Sequence, residues 1–463
     1  KAAVYTCLER GEGNPMNSMD RRTAEQILSL AASFKATAAE IYIRTSSSTT
    51  IEVKDQKVDA FERAHDIGAG LRVLVGDRMG FAYTTDLTPE SLRVLAGSAV
   101  TNARNTASDP FLSIPEVPPA PYQSVSIFDP AVVALSEGEK IERVMAMERE
   151  AFAVDPRVRR IRKASAGFSD SSTLIMNSLG AEVLTEATAV SASIEVVAEH
   201  QGESQAGWDY DVRRFYRELD IEQVGRRAAR KALDLLGACS IDSVKAPVVL
   251  DPSVAEEFLS IMASGFSAEN VQKKKSLFIG RLDTEVVSPL ITVYDDGLLA
   301  GGIGTAPSDD ELVPMKKKTV IDKGGLALYL YNTYAANKDR TVSTGNGIRG
   351  GFRGMPGVGV TNLYIAPGAQ SQEEILRSTP KGLLVTEIMG AHMANPISGD
   401  FSVGATGFWI EQGKKAYPVR EITIAGNILD LMKNIDAVGS DLRFSGRIGS
   451  PTLRVKELSI SGK

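Results

Sequence analysis

The sequence predicts an α+β protein built in two parts: an N-terminal domain of antiparallel strands with flanking helices, and a C-terminal, glycine-rich, curled antiparallel β domain. Three observations carry this. Short runs that alternate apolar and polar residues, bounded by Ser, Asp or Gly, follow one another between residues 39 and 84. Segments around them repeat apolar residues at spacings of three and four, the period of a helix with one buried face. And 26 of the 41 glycines fall in the last 184 residues, between short apolar runs, as in sheets that bend and turn often.

Taken in order, residues 1–19 show no periodicity and read as an extension. From the capping residue Asp20, the residues Ala24, Ile27, Leu28, Ala31 and Phe34 form one apolar stripe, so a helix starts there. Strands are expected at 39–44, 49–54, 57–63, 68–75 and 78–84, an antiparallel meander, and a helix at 89–104 follows. Residues 109–123 hold five prolines, which excludes helix and disfavours strand, so this stretch is a linker or a tether across the surface. A helix at 137–153 leads to strands at 158–169, 172–177 and 182–198, with Asn177-Ser178-Leu179-Gly180 as a hairpin turn. A helix at 222–236, capped by Gly237, closes a domain placed at 20–240. The second domain, 241–463, opens with a buried strand at 247–250, the cap Asp251-Pro252-Ser253, and a helix whose stripe is Val254, Phe258, Ile261, Met262 and Phe266. Beyond it, strands are expected at 290–294, 326–331, 361–365 and 421–425.

Composition narrows the function. At 463 residues the chain exceeds one ordinary core of about 100–200 residues. With 43% hydrophobic and 24% charged residues it is globular, and no stretch approaches the length of apolar sequence that spans a membrane. Only Cys7 and Cys239 are present, too few for a disulfide framework, which fits a cytoplasmic home and suggests a buried Cys239. A formal net charge of -6 is the wrong sign for wrapping nucleic acid.

The chemistry-bearing residues are sparse. His65, His200 and His392 lie far apart, so no pair has the one-turn spacing of a zinc helix. His65 and His200 read as surface residues, whereas His392 sits in a small-residue turn of the kind that carries function. Gly345-Asn346-Gly347-Ile348-Arg349-Gly350 matches the three-glycine dinucleotide fingerprint in letters, but no helix starts after it, so nucleotide binding is rejected. Arg349 and Arg353 in that loop are either ligand-gripping or solvent-facing. Asp295-Asp296 and Asp309-Asp310-Glu311 are either turns or paired carboxylates for a metal or for acid–base work. Lys273-Lys274-Lys275 and Lys316-Lys317-Lys318 read as solvated faces, or as a grip on an acidic partner.

Several ordered motifs then carry a resemblance: Ser276-Leu277-Phe278-Ile279-Gly280, Tyr294-Asp295-Asp296-Gly297, Asp309-Asp310-Glu311, the run from Pro356 to Tyr364, Gly399-Asp400-Phe401-Ser402 and Ile424-Ala425-Gly426-Asn427. Together they resemble the TldD/PmbA family, known also as modulators of DNA gyrase, over roughly residues 20–463. One branch of that family is a zinc peptidase with a His-Glu-x-x-x-His helix and a later Cys ligand; the other, TldE or PmbA, lacks them. Matched on the helix before the Ser276 motif, the first His, the Glu and the second His fall at Leu259, Ser260 and Ser264. The resemblance therefore implies the PmbA branch: no catalytic or metal-binding residue in this chain, zinc only in a TldD-like partner, and a two-subunit peptidase acting on unfolded peptides. It also implies a possible homodimer in isolation, while the absence of a long apolar stretch and the net charge of -6 argue against membrane and direct nucleic-acid contact. Thr361, Asn362, Leu363 and Tyr364 are read either as an edge that receives an extended peptide or as an internal core strand, with Arg349, Arg353 and His392 as further peptide-binding or chamber-lining residues. The alternatives are an autonomous hydrolase using His392 with the acidic doublets, and a regulator of gyrase.

Overall fold

The computed structural model describes residues 15–116, 118 and 121–462; residues 1–14 of the expected extension, with Cys7, lie outside the described residues. The first helix, α1 (Pro15–Ser33), begins before Asp20, so that residue lies within the helix instead of capping it. The strands β1 (Ala38–Lys54), β2 (Lys57–Val75) and β3 (Arg78–Thr84) make the expected meander, and α2 (Pro89–Asn105) follows it. After the proline-rich stretch come α3 (Pro130–Ala134) and α4 (Glu137–Ala153), then β4 (Val158–Asn177), β5 (Glu182–His200), β6 (Glu203–Arg213) and α5 (Ile221–Asp234). All six strands join one antiparallel sheet in the order β3-β2-β1-β4-β5-β6.

The strands are fewer and longer than expected, because pairs of short runs fuse. Residues 39–44 and 49–54 become β1, and 158–169 and 172–177 become β4. The polar residues between them stay extended because each is held in the ladder, Thr45 opposite Ser172 and Ser47 opposite Asp170. One face of this sheet buries two separate cores. Ile41, Ile43, Leu71 and Val73 pack under α1 and α2, and Ile51, Val53, Phe168 and Val190 pack under α4 and α5. The hairpin turn is built as expected: Asn177 Oδ1 accepts from the N–H groups of Leu179 and Ala181, both at 3.0 Å, and Gly180 takes φ 95°.

The second part begins with β7 (Val244–Leu250), α6 (Pro252–Ala263) and α7 (Ala268–Gln272). Then follow β8 (Val293–Asp296), β9 (Lys317–Asp322), β10 (Gly325–Leu326), α8 (Thr333–Asp339), β11 (Gly347–Ile348), β12 (Gly357–Val358) and β13 (Leu363–Ile365). The chain ends through α9 (Gln372–Arg377), β14 (Lys381–Met389), β15 (Asp400–Glu411), β16 (Lys414–Asn427), α10 (Ile428–Lys433), β17 (Ile435–Val438), β18 (Arg443–Ser445), β19 (Ile448–Ser450) and β20 (Leu453–Ser461). One sheet runs β16-β15-β14-β7-β20-β17, and β16 also pairs with β20, so five strands close on themselves around Val248, Leu383, Val403, Ile424 and Val455. Closure leaves no free edge between those five strands. A second sheet runs β10-β9-β8-β13-β19-β18. The sheets are antiparallel, as expected, except at β7–β14 and β13–β19.

The opposite face of the first sheet meets the second part of the chain. Tyr42, Ile175 and Val183 pack against Leu312 and Phe352. The proline-rich stretch acts as a strap: Asp109 accepts from the Tyr334 hydroxyl at 2.8 Å, Phe111 O from Asn337 at 2.8 Å, and the Tyr122 hydroxyl donates to Leu312 O at 2.9 Å.

Candidate functional site

Helix α6 places the positions that matter. Asp251 caps it, accepting from Ser253 N at 3.1 Å, and Pro252 suits its first turn, so the helix starts where the sequence says. Its buried face is Val254, Ala255, Phe258, Leu259 and Met262. Leu259 is fully buried in the barrel-side core, while Ser260 and Ser264 are exposed. At about 100° per residue, Glu257, Ser260 and Ser264 fall near one another on the outer side of the helix. These side chains do not fit a zinc ion: leucine has no donor atom, and zinc sites draw on imidazole, thiolate or carboxylate. Among the described residues no three His, Cys, Asp or Glu side chains converge on a point that would hold a metal.

What lies beside this face is acidic. Burial, with the charge of Glu387 on β14 added, pushes the Glu257 carboxyl up to about 7. Glu387 is itself raised by burial, with Lys231 opposing and Glu195 adding to the shift. Its residue is exposed at the surface, although burial of the carboxyl is the largest cause of the shift. Glu256, one residue along α6, is buried, has one carboxylate oxygen without a partner, and is pushed up to about 7 by burial despite Ser445 and Arg443. Arg443 reaches across to Asp209 on β6 at 3.1 Å, and Asp209 also binds Arg227 at 2.7 Å and Lys231 at 3.0 Å, so α5 and β6 are tied to β18. Beside them Trp208, opposite Glu195 in register and 53% exposed, stacks with Tyr210 at 6.0 Å. The boundary between the two parts thus brings Glu257 and Glu387 near Lys231 of α5 and Glu195 of β5, while Ser260 and Ser264 lie exposed on the outer side of α6. The turn Ala391–Met393 packs against α6 and carries His392, which is exposed.

The remaining expected residues are elsewhere, and several readings need correction. β13 is an inner strand, antiparallel to β8 and parallel to β19, so Thr361–Tyr364 offer no edge to an added peptide. Thr361, Asn362 and Leu363 are fully buried. Thr361 N donates to Asp295 Oδ1 at 2.6 Å and Asn362 Nδ2 to Asp296 O at 2.6 Å, which locks the segment to β8. Arg349 is not a ligand arm either: it is buried, donates to Glu40 and, through its backbone N–H at 2.7 Å, to Asp310, and lies over the Tyr42 ring. Arg353 is exposed, stacked on Phe352 at 4.5 Å and 3.4 Å from Asp66. The acidic doublets are internal braces. Asp309 accepts from the N–H groups of Gly347, Glu311 and Val313 and is raised by burial and by Glu311, so it cannot partner the exposed His392. Lys318 is buried against Asp295 at 2.9 Å instead of solvated, and Cys239 is exposed instead of buried. Glu256-Glu257 went unsingled in the sequence because a helical acidic doublet looks like any solvated face.

Compared with known proteins, the chain matches three consecutive domain descriptions: PmbA/TldA metallopeptidase domain 1 over residues 39–103, the central domain over 132–236 and the C-terminal domain over 243–462. This chain belongs to the TldD/PmbA family. Within it, the chain is 29% identical to the metalloprotease PmbA of Escherichia coli O157:H7, covering 96% of this chain and 97% of that one. It is 27% identical to the metalloprotease TldD homolog of Haemophilus influenzae, covering 92% of each. The crystal structure of a putative modulator of DNA gyrase from Thermotoga maritima superposes with a TM-score of 0.88 at 28% identity, over 96% of this chain and 100% of that one. TldE from Thermococcus kodakarensis shares the fold, with a TM-score of 0.87 at 24% identity over 95% and 100%. The first two TldD/PmbA domains share one continuous sheet here, since β4 pairs with β1. No helix among the described residues is long and apolar enough to cross a membrane.

Proposed function

We propose that this chain is the PmbA/TldE-type subunit of a two-component TldD/PmbA metallopeptidase, one that processes unfolded peptides beside a TldD-like partner and leaves the metal to that partner. The observation that carries this reading is the chemistry of α6: where the peptidase branch places imidazole, carboxylate and imidazole, this helix has a core leucine and two hydroxyls, which can neither ligate zinc nor act as its base. The cleft supports a role in shaping the peptide's surroundings. Stacked Trp208 and Tyr210 supply flat apolar surface, and the carboxyls of Glu257 and Glu387 sit beside it at the domain boundary. A cytoplasmic location and self-association of the isolated chain belong to the same reading.

The test is to prepare the full chain alone and co-expressed with a histidine-bearing TldD relative, and to measure bound metal and casein digestion in each. The reading requires digestion only by the co-purified pair, with zinc that follows the relative. Stoichiometric zinc in the isolated chain would overturn it. One observation favours a second reading, an autonomous acid–base hydrolase: a carboxyl pushed up to about 7 in a cleft is a fit proton donor near neutral pH. Peptide cleavage by the isolated chain that E257Q abolishes would establish that reading in place of the first. Regulation of gyrase by direct DNA contact finds no support in the net charge of -6.

A further inference from the structure

The two helical layers on the first sheet leave a gap between them, and the gap is not apolar. There Thr45 and Ser47 of β1 lie opposite Ser172 and Asp170 of β4. The hydroxyls of Thr45 and Ser172 are buried with no hydrogen-bond partner. Next to these hydroxyls, which do not line it, a groove of about 320 Å³ opens over Ser47, Thr49, Phe168 and Asp170, at the small end of the roughly 300–1,000 Å³ of ligand pockets. Two opposite charges line it. Lys140 of α4 is buried to 9% exposure, with its ammonium 5.4 Å from the centre of the Phe168 ring. Asp170 stands near enough for the two charges to be felt. Yet neither side chain has a hydrogen-bond or ion-pair partner among the described residues, and both are pushed toward their neutral forms by burial. An unpaired ammonium as buried as that of Lys140 is costly, and a bound carboxylate would complete it, with the half-buried Asp170 beside it.

The pattern selects the ligand class. A simple anion is repelled by Asp170, and a simple cation by Lys140 and by Arg63 at the rim. A zwitterion satisfies both charges at once. Phe168 and Val132 add an apolar wall, and the volume suits one residue better than a chain. We propose that this groove binds a free α-amino acid with an apolar side chain, its carboxylate on Lys140, its ammonium on Asp170 and its side chain against Phe168 and Val132. The groove lies on the helix-covered face of the sheet, away from the cleft beside α6, and the proposal stands apart from any peptidase role.

The experiment is calorimetric titration of the full chain with leucine and phenylalanine, beside N-acetyl-leucine, leucinamide and dileucine. Free amino acids are expected to bind saturably, and loss of either ligand charge, or K140M or D170N, to weaken binding roughly tenfold or more, as for one charge-assisted hydrogen bond. Both variants are expected to melt close to the native chain, since neither charge has a hydrogen-bond or ion-pair partner to lose and K140M gives up only the contact with the Phe168 ring. Val133, 52% exposed and lining the groove, allows V133W to obstruct the site without touching the core, and this variant decides the matter should K140M or D170N fail to fold. The proposal is overturned by an absence of saturable binding at millimolar ligand, or by equal binding of N-acetyl-leucine or leucinamide. It is overturned too by dileucine binding as tightly as leucine, which would make the ligand a peptide terminus, or by V133W binding unchanged.

Discussion

Arg72 and Glu311, 239 residues apart in the sequence, meet at 2.8 Å with both side chains buried. Arg72 holds Glu40 on the neighbouring strand at 2.9 Å, and Glu40 in turn binds Arg349, so two guanidiniums and two carboxylates from both parts of the chain form one linked row. Burial would lower the charge on Arg72, and the two carboxylates more than reverse this. The set fixes how the first sheet sits on the second part, and with it the walls of the cleft.

Removing one member leaves the others charged and buried. Glu40→Ala leaves the Arg349 guanidinium without a carboxylate partner and Arg72 with Glu311 alone, and we expect a loss of about 3–5 kcal/mol in urea unfolding. The paired change R72M/E311L removes one cation and one anion at once and should cost far less than the sum of its parts. Additive losses in that double-mutant cycle would show that the four groups do not act as a set.

Glu256 gives a pH dependence with a definite sign. Its folded carboxyl is pushed up to about 7 from an ordinary 4.5, so the fold prefers the protonated form. That preference is fully present below about 4.5 and is lost as pH rises through about 7. Glu256→Gln should therefore match the native chain at pH 4 and exceed it by about 1–3 kcal/mol at pH 8. A lower melting temperature for E256Q at pH 8 would show that its contacts with Ser445 and Arg443 outweigh desolvation.

The three positions on α6 should separate cleanly. Leu259→Ala empties a fully buried site and is expected to lose about 2–5 kcal/mol. Ser260→Ala and Ser264→Ala, at exposed positions, should stay within about 0.5 kcal/mol and leave metal content unchanged. A drop in bound zinc for either serine variant would contradict the assignment of this chain as the subunit without metal.

Gly70 marks the tightest domain contact. A Cβ there would overlap the backbone carbonyl of Phe352, which cannot swing aside as a side chain can. We expect Gly70→Ala to cost about 1–3 kcal/mol and to increase proteolysis of the strap at 109–116, as the two parts loosen.

Much of this was legible in the residues. The helix at 137–153 was bounded correctly because Ser136 and Glu139 form a capping box before a 3.6-period stripe, and the helix at 89–104 because proline opens it. The strand breaks were misread where Thr45–Ser48 and Asp170–Ser172 are polar, since a turn and an extended polar strip under a groove look alike in sequence. The motifs from Ser276 to Asn427 disclosed the family, and helix α6 disclosed which side chains stand at its ligand positions. Periodicity, caps and glycine density are local, and local residues suffice to set helices, turns and the two-part architecture. Which charges are braces and which face a cleft depends on partners hundreds of residues away. Only the folded chain could bury Arg349 against Glu40, enclose β13 between two strands, set Glu387 beside Glu257 and leave Lys140 and Asp170 without partners, because burial and Coulomb energy depend on distance in space and not along the chain.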